Sequence, residues 1–347
     1  MINDKINRYK LLEMVGKGAT GTVYRALDTT TKEEVAVKII NLKNVCVGIL
    51  KQHVNEINML YSIRSRFVSK LIDAFIEHTQ SELWMILEYF NNNSLSFLID
   101  RSYRNNQSIP ENTVWSFFIQ LLLGIRTIHK YGIIHRDIKP SNILLKDNEK
   151  IAKICDFNIS CFVTDQNTSA IIGTPSYIAP EIWKNSEYTI ACDIFSLGCV
   201  IYELMNGDSA FYQDNMDDLR NMIIGQHPPK ISKNYSTELK NILNTLLFKD
   251  PTRRVTISKI LTHPFVIKKA QELNIQLTDE QTSSYSIKDL YLVKTISFPS
   301  DKQSAELSLI IANSLGFKNK DVTTSKLCFF QNKNPQIDLP KTKKNSF

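Results

Sequence analysis

Residues 135–142 read His135-Arg136-Asp137-Ile138-Lys139-Pro140-Ser141-Asn142, and twenty residues after His135 the chain reads Cys155-Asp156-Phe157. The two short runs supply two carboxylates, an ammonium and a side-chain amide. Phosphoryl transfer asks for little covalent chemistry. It needs a carboxylate to orient an attacking hydroxyl and accept its proton, and cations to neutralise the phosphate oxygens. Asp137 suits the first task. Asn142 and Asp156 offer the oxygen ligands that magnesium prefers, and Lys139 places a point charge beside a transferring phosphate. Asp137, Lys139 and Asn142 are therefore the candidate catalytic residues, and Asn142 and Asp156 the candidate metal ligands.

Upstream, Gly16, Gly18 and Gly21 with Val23 form G-x-G-x-x-G-x-V. Glycines at this spacing let backbone N–H groups approach a polyphosphate without obstruction. A dinucleotide-binding fold uses the same spacing, but there a helix follows directly. Here Val23 to Ala26 and Val35 to Ile40 continue as strands, which predicts a hairpin folded over a nucleotide. Lys38 lies in Val35-Ala36-Val37-Lys38 with apolar neighbours, so its ammonium emerges from a sheet face and needs a partner. Glu56, on a helical stretch from about Lys51 to Ile63, can supply one and orient Lys38 towards the phosphates.

The periodicity divides the chain. Short β-type runs dominate up to Leu87, three consecutive asparagines in Glu88 to Ser94 (EYFNNNS) mark a connector, and helical patterns follow. In Thr113 to Tyr131 the residues Val114, Phe117, Phe118, Leu121, Leu122, Ile125 and Ile128 keep the three-and-four spacing of a buried helix face. The expected organisation is α+β. It comprises a short extension 1–8, a small β-rich lobe 9–87 with one helix, a hinge 88–94, a larger helical lobe 95–268, and a polar tail 269–347, partly disordered. Within the tail, Leu290 to Ile296 and Leu307 to Leu315 are candidate docking segments.

The 347 residues, 43% hydrophobic, can bury two cores. The net charge of +7 is scattered, and the tail carries eleven lysines against eight acidic residues. Neither nucleic acid nor a membrane is implied as a partner. Six cysteines stand in no CxxC pair and at no metal-ligand spacing, and Cys155 reads as a small buried hydrophobe and not a reactive thiol. The N-terminus shows no apolar leader, and no apolar run reaches the roughly 18 residues needed to cross a bilayer. The expected address is cytoplasmic, with the nucleus as an alternative.

The run 135–142, with Asp156-Phe157, Lys38, Glu56 and the glycine loop, resembles the eukaryotic protein kinases over residues 9–268. Lysine at 139 is the form found in serine/threonine kinases. The resemblance implies a bilobal fold, ATP and Mg2+ as cofactors, and protein substrates. It also implies that Thr174, in Gly173-Thr174-Pro175, hydrogen-bonds Asp137 and Lys139, and that Asp193 supports the catalytic loop from below. By the same resemblance Glu181, in Ala179-Pro180-Glu181, pairs with Arg254. Leu87 becomes the gatekeeper, the backbones of Glu88 and Phe90 meet the adenine edge, and Val23, Ala36 and Leu144 sandwich its faces. Leu60, Leu71, His135 and Phe157 become a stacked spine. Within the family, YELMNGDSAF (202–211), NMDDLRNMIIGQHPPKIS (215–232) and YSTELKNILNTLLFKDPTRR (235–254) are similar to NIMA-related kinases. Lys139-Pro140-Ser141-Asn142 resembles other branches more, MAP kinase kinases among them.

Two positions depart from the family pattern. Asn158 stands where kinases carry glycine after Asp156-Phe157. Asparagine enters the left-handed region more readily than other side-chained residues, so the expected penalty is about 1 kcal/mol, with a shifted balance between active and inactive positions of Asp156. A nucleotide-binding scaffold is the competing reading, and a small-molecule phosphotransferase a more distant one. Ala170 stands where many relatives carry the phosphoacceptor that Arg136 awaits. Ser169, Thr168 and Thr164 remain as candidates for that role, Ser169 being nearest.

Overall fold

In the computed structural model, residues 6–278 are described except 19–20, 44, 46, 78–80, 92, 164–170, 188, 229 and 232. Five strands, β1 (Tyr9–Gly18), β2 (Gly21–Asp28), β3 (Glu34–Asn41), β4 (Leu71–Glu77) and β5 (Glu82–Glu88), form an antiparallel sheet in the order β1-β2-β3-β5-β4. Helix α1 (Val47–Ser62) lies between β3 and β4 in the chain. The period of two along β3 sorts its side chains. Val35 and Val37 enter a core with Tyr9, Ala26, Phe75, Trp84 and Ile86, while Ala36 and Lys38 take the opposite face. Each aliphatic or aromatic side chain fully buried in such a core contributes about 1.5–3 kcal/mol.

The expected boundary at Tyr9 falls inside this packing. Arg8 clasps Asp28 at the far end of the β1–β2 hairpin with Nε–Oδ1 2.9 Å and Nη2–Oδ2 2.6 Å. Its guanidinium also lies 5.0 Å over the Tyr9 ring, and Ile6 packs against the core. Residues 6–8 thus belong to the small lobe and are not a free extension. The clasp holds the Asp28 carboxyl well below its ordinary range, chiefly through the Arg8 hydrogen bonds.

Beyond the connector come α2 (Leu95–Arg104), capped by Ser94 Oγ accepting from Phe97 N, and α3 (Glu111–Lys130). All seven apolar residues expected on the α3 face are buried. Short strands β6 (Ile133–Ile134), β7 (Ile143–Lys146), β8 (Ile151–Ile154) and β9 (Cys161–Phe162) pair as β6–β9 and β7–β8. Helices α4 (Pro180–Trp183), α5 (Ala191–Asn206), α6 (Met216–Gly225), α7 (Thr237–Leu246), α8 (Ile257–Leu261) and α9 (Pro264–Glu272) complete the described chain. Helix α5 is buried along most of its length and ends at Gly207, whose φ of 82° suits a left-handed cap.

The expected lobe end at 268 falls within α9. Val266 and Ala270 are buried there, and Arg126 Nη2 reaches Leu277 O at 3.0 Å. Apolar spacing carries this helix past the point where polar composition begins. The docking segments expected at 290–296 and 307–315 lie outside the described residues.

Candidate active site

The catalytic loop is shaped from beneath. Asp193, wholly buried near the start of α5, accepts hydrogen bonds from His135 N through Oδ2 and Arg136 N through Oδ1, both at 2.9 Å. Its Oδ2 also meets His129 Nε2 at 2.8 Å. Burial alone would raise this carboxyl, but its hydrogen bonds with His129 and the His135 amide and the neighbouring imidazoles outweigh burial and hold it below the ordinary range. Arg136 adopts φ 67°, a conformation that costs a side-chained residue on the order of 1 kcal/mol, and the captured amides offset it. The Arg136 side chain is turned inward, with Nε donating to Ile159 O.

The loop presents Asp137 with both oxygens occupied. Thr174 Oγ1 donates to Oδ1 at 2.8 Å and Thr174 N to the same oxygen at 3.1 Å. Asn142 Nδ2 donates to Oδ2 at 2.8 Å, and Lys139 Nζ lies 2.8 Å from that oxygen. Lys139 in turn donates to Thr174 Oγ1 at 2.7 Å. Burial pushes Asp137 up, yet the hydrogen bonds from Lys139 and Thr174 prevail and leave its pKa lowered. Asp137, Lys139, Asn142 and Thr174 are thus brought together in one network.

Register places Asp156 beside them. The β7–β8 hairpin pairs Ile143 with Ile154, and one step further Cys155 N donates to Asn142 O at 3.0 Å. Asp156, the next residue, is exposed and holds φ 67°. The Cys155 thiol donates to Asn142 O at 3.2 Å, and burial pushes its pKa far above the ordinary value. Phe157 is buried and meets His135 edge-on with centroids 4.8 Å apart. Leu60, Leu71, His135 and Phe157 are all buried.

In the small lobe, Lys38 Nζ is bound to Glu56 Oε1 at 2.8 Å and Oε2 at 3.1 Å, with both residues buried. Burial pushes the Glu56 carboxyl up, but the Lys38 charge and His53 more than offset it and its pKa is lowered. Val23 pairs across the hairpin with Lys38, and Ala36 with Leu87. Gly21, at φ 153°, leaves no room for a side chain, because a Cβ would stand 2.6 Å from Ile39 O. At Gly16 nothing lies within 4 Å, and at Gly18 the nearest atom is 3.9 Å away. The open glycines fit a loop over a ligand.

At the hinge, Glu88 N donates to Lys70 O at 3.0 Å. Its carboxylate accepts from Lys146 at 2.6 Å and Lys153 at 2.7 Å, tying the connector to β7 and β8. Phe90 is buried, and Leu144, half-buried, bridges to Ser94. Glu181 and Arg254 form a buried bidentate pair with both N–O distances 2.6 Å.

One expectation is overturned. Asn158 is not a left-handed residue; the turn takes its positive φ at Asp156, so the predicted backbone penalty does not fall on the asparagine. Instead Asn158 Oδ1 accepts from Lys38 Nζ at 2.6 Å. That partnership across 120 residues has no local sequence signal, and neither has the clamp of Lys146 and Lys153 on Glu88. Ser169, Thr168, Thr164 and Ala170 lie outside the described residues.

The donor set fits magnesium. An exposed carboxylate and an amide oxygen leave most of the coordination shell to phosphates and water, the usual arrangement for this ion. Among the described residues no cluster of three His, Cys, Asp or Glu side chains forms an alternative cage. Nor is any helix there long and apolar enough to cross a membrane.

Comparison with known proteins agrees with this geometry. Residues 9–266 match the family model described as protein kinase domain. Cytokinesis protein sepH of Aspergillus niger is 36% identical over 264 residues, 76% of this chain and 19% of that protein. Cell division control protein 7 of Schizosaccharomyces pombe is 34% identical over 268 residues, covering 77% and 24%. Serine/threonine-protein kinase nekl-2 of Caenorhabditis elegans is 30% identical over 270 residues, covering 76% and 75%. The chain spans about a fifth of the length of the sepH relatives it matches. The expected NIMA-related likeness fits nekl-2. On the domain match, the bilobal fold and these relatives together, the chain belongs to the eukaryotic protein kinases, on their serine/threonine side.

Proposed function

We propose that this protein transfers the γ-phosphoryl group of ATP to serine and threonine hydroxyls of protein substrates. The observation that carries this reading is the cycle of polar contacts among Asp137, Lys139 and Thr174, with Asn142 also donating to the Asp137 oxygen that meets Lys139. Asp137 is ionised at neutral pH, and its fixed oxygens orient the substrate hydroxyl. As the hydroxyl oxygen bonds to the γ-phosphorus and the bond to the β-phosphate bridging oxygen breaks, Asp137 takes the proton and ADP leaves. Its lowered pKa makes it a weak base, so the proton moves late and orientation is its larger contribution.

Lys139 steadies the negative charge on the transferring group. Lys38, held by Glu56, meets the α- and β-phosphates. The glycine loop of Gly16, Gly18 and Gly21 covers them with backbone N–H groups. Asp156 and Asn142 would hold magnesium, which neutralises phosphate oxygens when bound. With Glu88 N committed to Lys70 O, the Glu88 carbonyl remains for the purine amino group, Phe90 N faces the ring edge, and Val23, Ala36 and Leu144 enclose its faces.

An enzyme is favoured over a scaffold because Lys38, Glu56, Asp137, Lys139 and Asn142 each have a hydrogen-bond partner in place. The four described cysteines are free, and that supports a reducing address in the cytoplasm or nucleus. The test is a peptide array with magnesium-ATP followed by phosphoamino-acid analysis. Phosphoserine and phosphothreonine are expected, and phosphate on tyrosine alone, or on nothing, would contradict the reading.

A further inference from the structure

An ammonium has three protons, and Lys38 has three acceptors. Two belong to one carboxylate, Glu56 Oε1 at 2.8 Å and Oε2 at 3.1 Å, and the third is Asn158 Oδ1 at 2.6 Å. With Lys38 only 7% exposed, little water reaches the ammonium to serve as a further partner. A phosphate oxygen that binds Lys38 must therefore replace one of these acceptors or share its proton.

The acceptors are not equally easy to release. Glu56 is buried and charged, also lies 3.8 Å from His53 Nδ1, and would be left uncompensated without Lys38. Asn158 is neutral, half-buried and on a turn, so its amide can pair with water instead. The glycine that kinases carry at this position has no such acceptor. We propose that Asn158 is a positioning residue that holds the phosphate's place on Lys38 and is exchanged for it when nucleotide binds. Nucleotide affinity in this chain is thereby set lower than Lys38 and Glu56 alone would give.

The same contact joins the two halves of the site before nucleotide arrives. Asn158 draws the turn carrying Asp156 towards β3, while Arg136 Nε on Ile159 O, and Ser160 Oγ on His135 O at 3.1 Å, fix that turn to the catalytic loop. The inference rests on the reading of Lys38 as a phosphate ligand.

Both can be tested together by calorimetric titration of the full chain with a magnesium complex of a non-hydrolysable ATP analogue, and separately with adenosine. The parent is compared with Asn158→Gly, Asn158→Leu, Lys38→Met and the double variant Lys38→Met/Asn158→Leu. Removing an acceptor that competes for a charged donor should tighten analogue binding about fivefold in both Asn158 variants, with adenosine, which has no phosphate, unchanged. In the Lys38→Met background Asn158→Leu should have no effect on analogue affinity. Unchanged affinity in both variants, tighter binding with glycine alone, or an equal effect in the Lys38→Met background would overturn the proposal. If Lys38→Met itself binds the analogue as the parent does, the phosphate reading of Lys38 fails with it.

Discussion

Thr174 Oγ1 donates to Asp137 Oδ1 at 2.8 Å and accepts from Lys139 Nζ at 2.7 Å, so one hydroxyl joins the segment after Gly173 to both charged groups of the catalytic loop. Losing it would leave Asp137 Oδ1 held by the Thr174 amide alone and take one acceptor from Lys139. Thr174→Ala should therefore lower kcat about tenfold, the equivalent of about 1.4 kcal/mol, with KM for ATP little changed. Thr174→Ser should restore most of the rate in steady-state assays.

The glycines of the nucleotide loop are required for two different reasons. Gly21 is sterically enclosed by Ile39 O, whereas Gly16 faces open space. Gly21→Ala should push β2 from β3 and lower the melting temperature. Gly16→Ala should leave the melt unchanged and still weaken nucleotide binding. Equal melts for the two variants would contradict this division.

The Glu181–Arg254 pair carries structural weight. Arg254 also donates to Phe248 O at 2.9 Å and Ala191 O at 2.8 Å, so a single side chain holds α4, the start of α5 and the segment after α7. Arg254→Met leaves a buried carboxylate and unpaired carbonyls, and should cost about 3–5 kcal/mol of stability by denaturant titration.

Glu203 on α5 should make stability pH-dependent. Burial pushes its carboxyl up to about 6, although Tyr177 donates a hydrogen bond to it. Because the folded pKa exceeds the unfolded one, the folded state holds an extra proton between about 4.5 and 6, and stability falls as pH rises through that window. Glu203→Gln, whose amide oxygen still accepts from Tyr177, should match the parent near pH 4.5. It should exceed the parent by about 2 kcal/mol above pH 7. A difference that shrinks with rising pH would contradict this.

Local pattern made much of this molecule legible. Alternation in Val35-Ala36-Val37-Lys38 separated the core face from the cleft face, and helical spacing in 113–131 marked the face that α3 buries. The motif spacing brought Asp137, Asn142 and Asp156 together because a short hairpin, β7–β8, closes between them. What remained hidden depends on partners distant in sequence. The Arg8–Asp28 clasp moved the start of the small lobe, and the apolar stripe of α9 carried the large lobe past 268. At Asn158 the residue type suggested a backbone effect, whereas the fold uses its side chain.

In the proposed reaction, phosphoryl transfer depends on Asp137. As proposed, its carboxylate both orients the acceptor hydroxyl and receives its proton. Asp137→Asn keeps the shape and at least one acceptor oxygen but removes the charge. Phosphate transfer from radiolabelled magnesium-ATP to a serine or threonine peptide is the most direct measurement. Transfer by the parent and a loss of at least about a hundredfold in Asp137→Asn, with nucleotide affinity retained, are expected. Equal incorporation by the two proteins, or none by the parent, would contradict the proposed reaction.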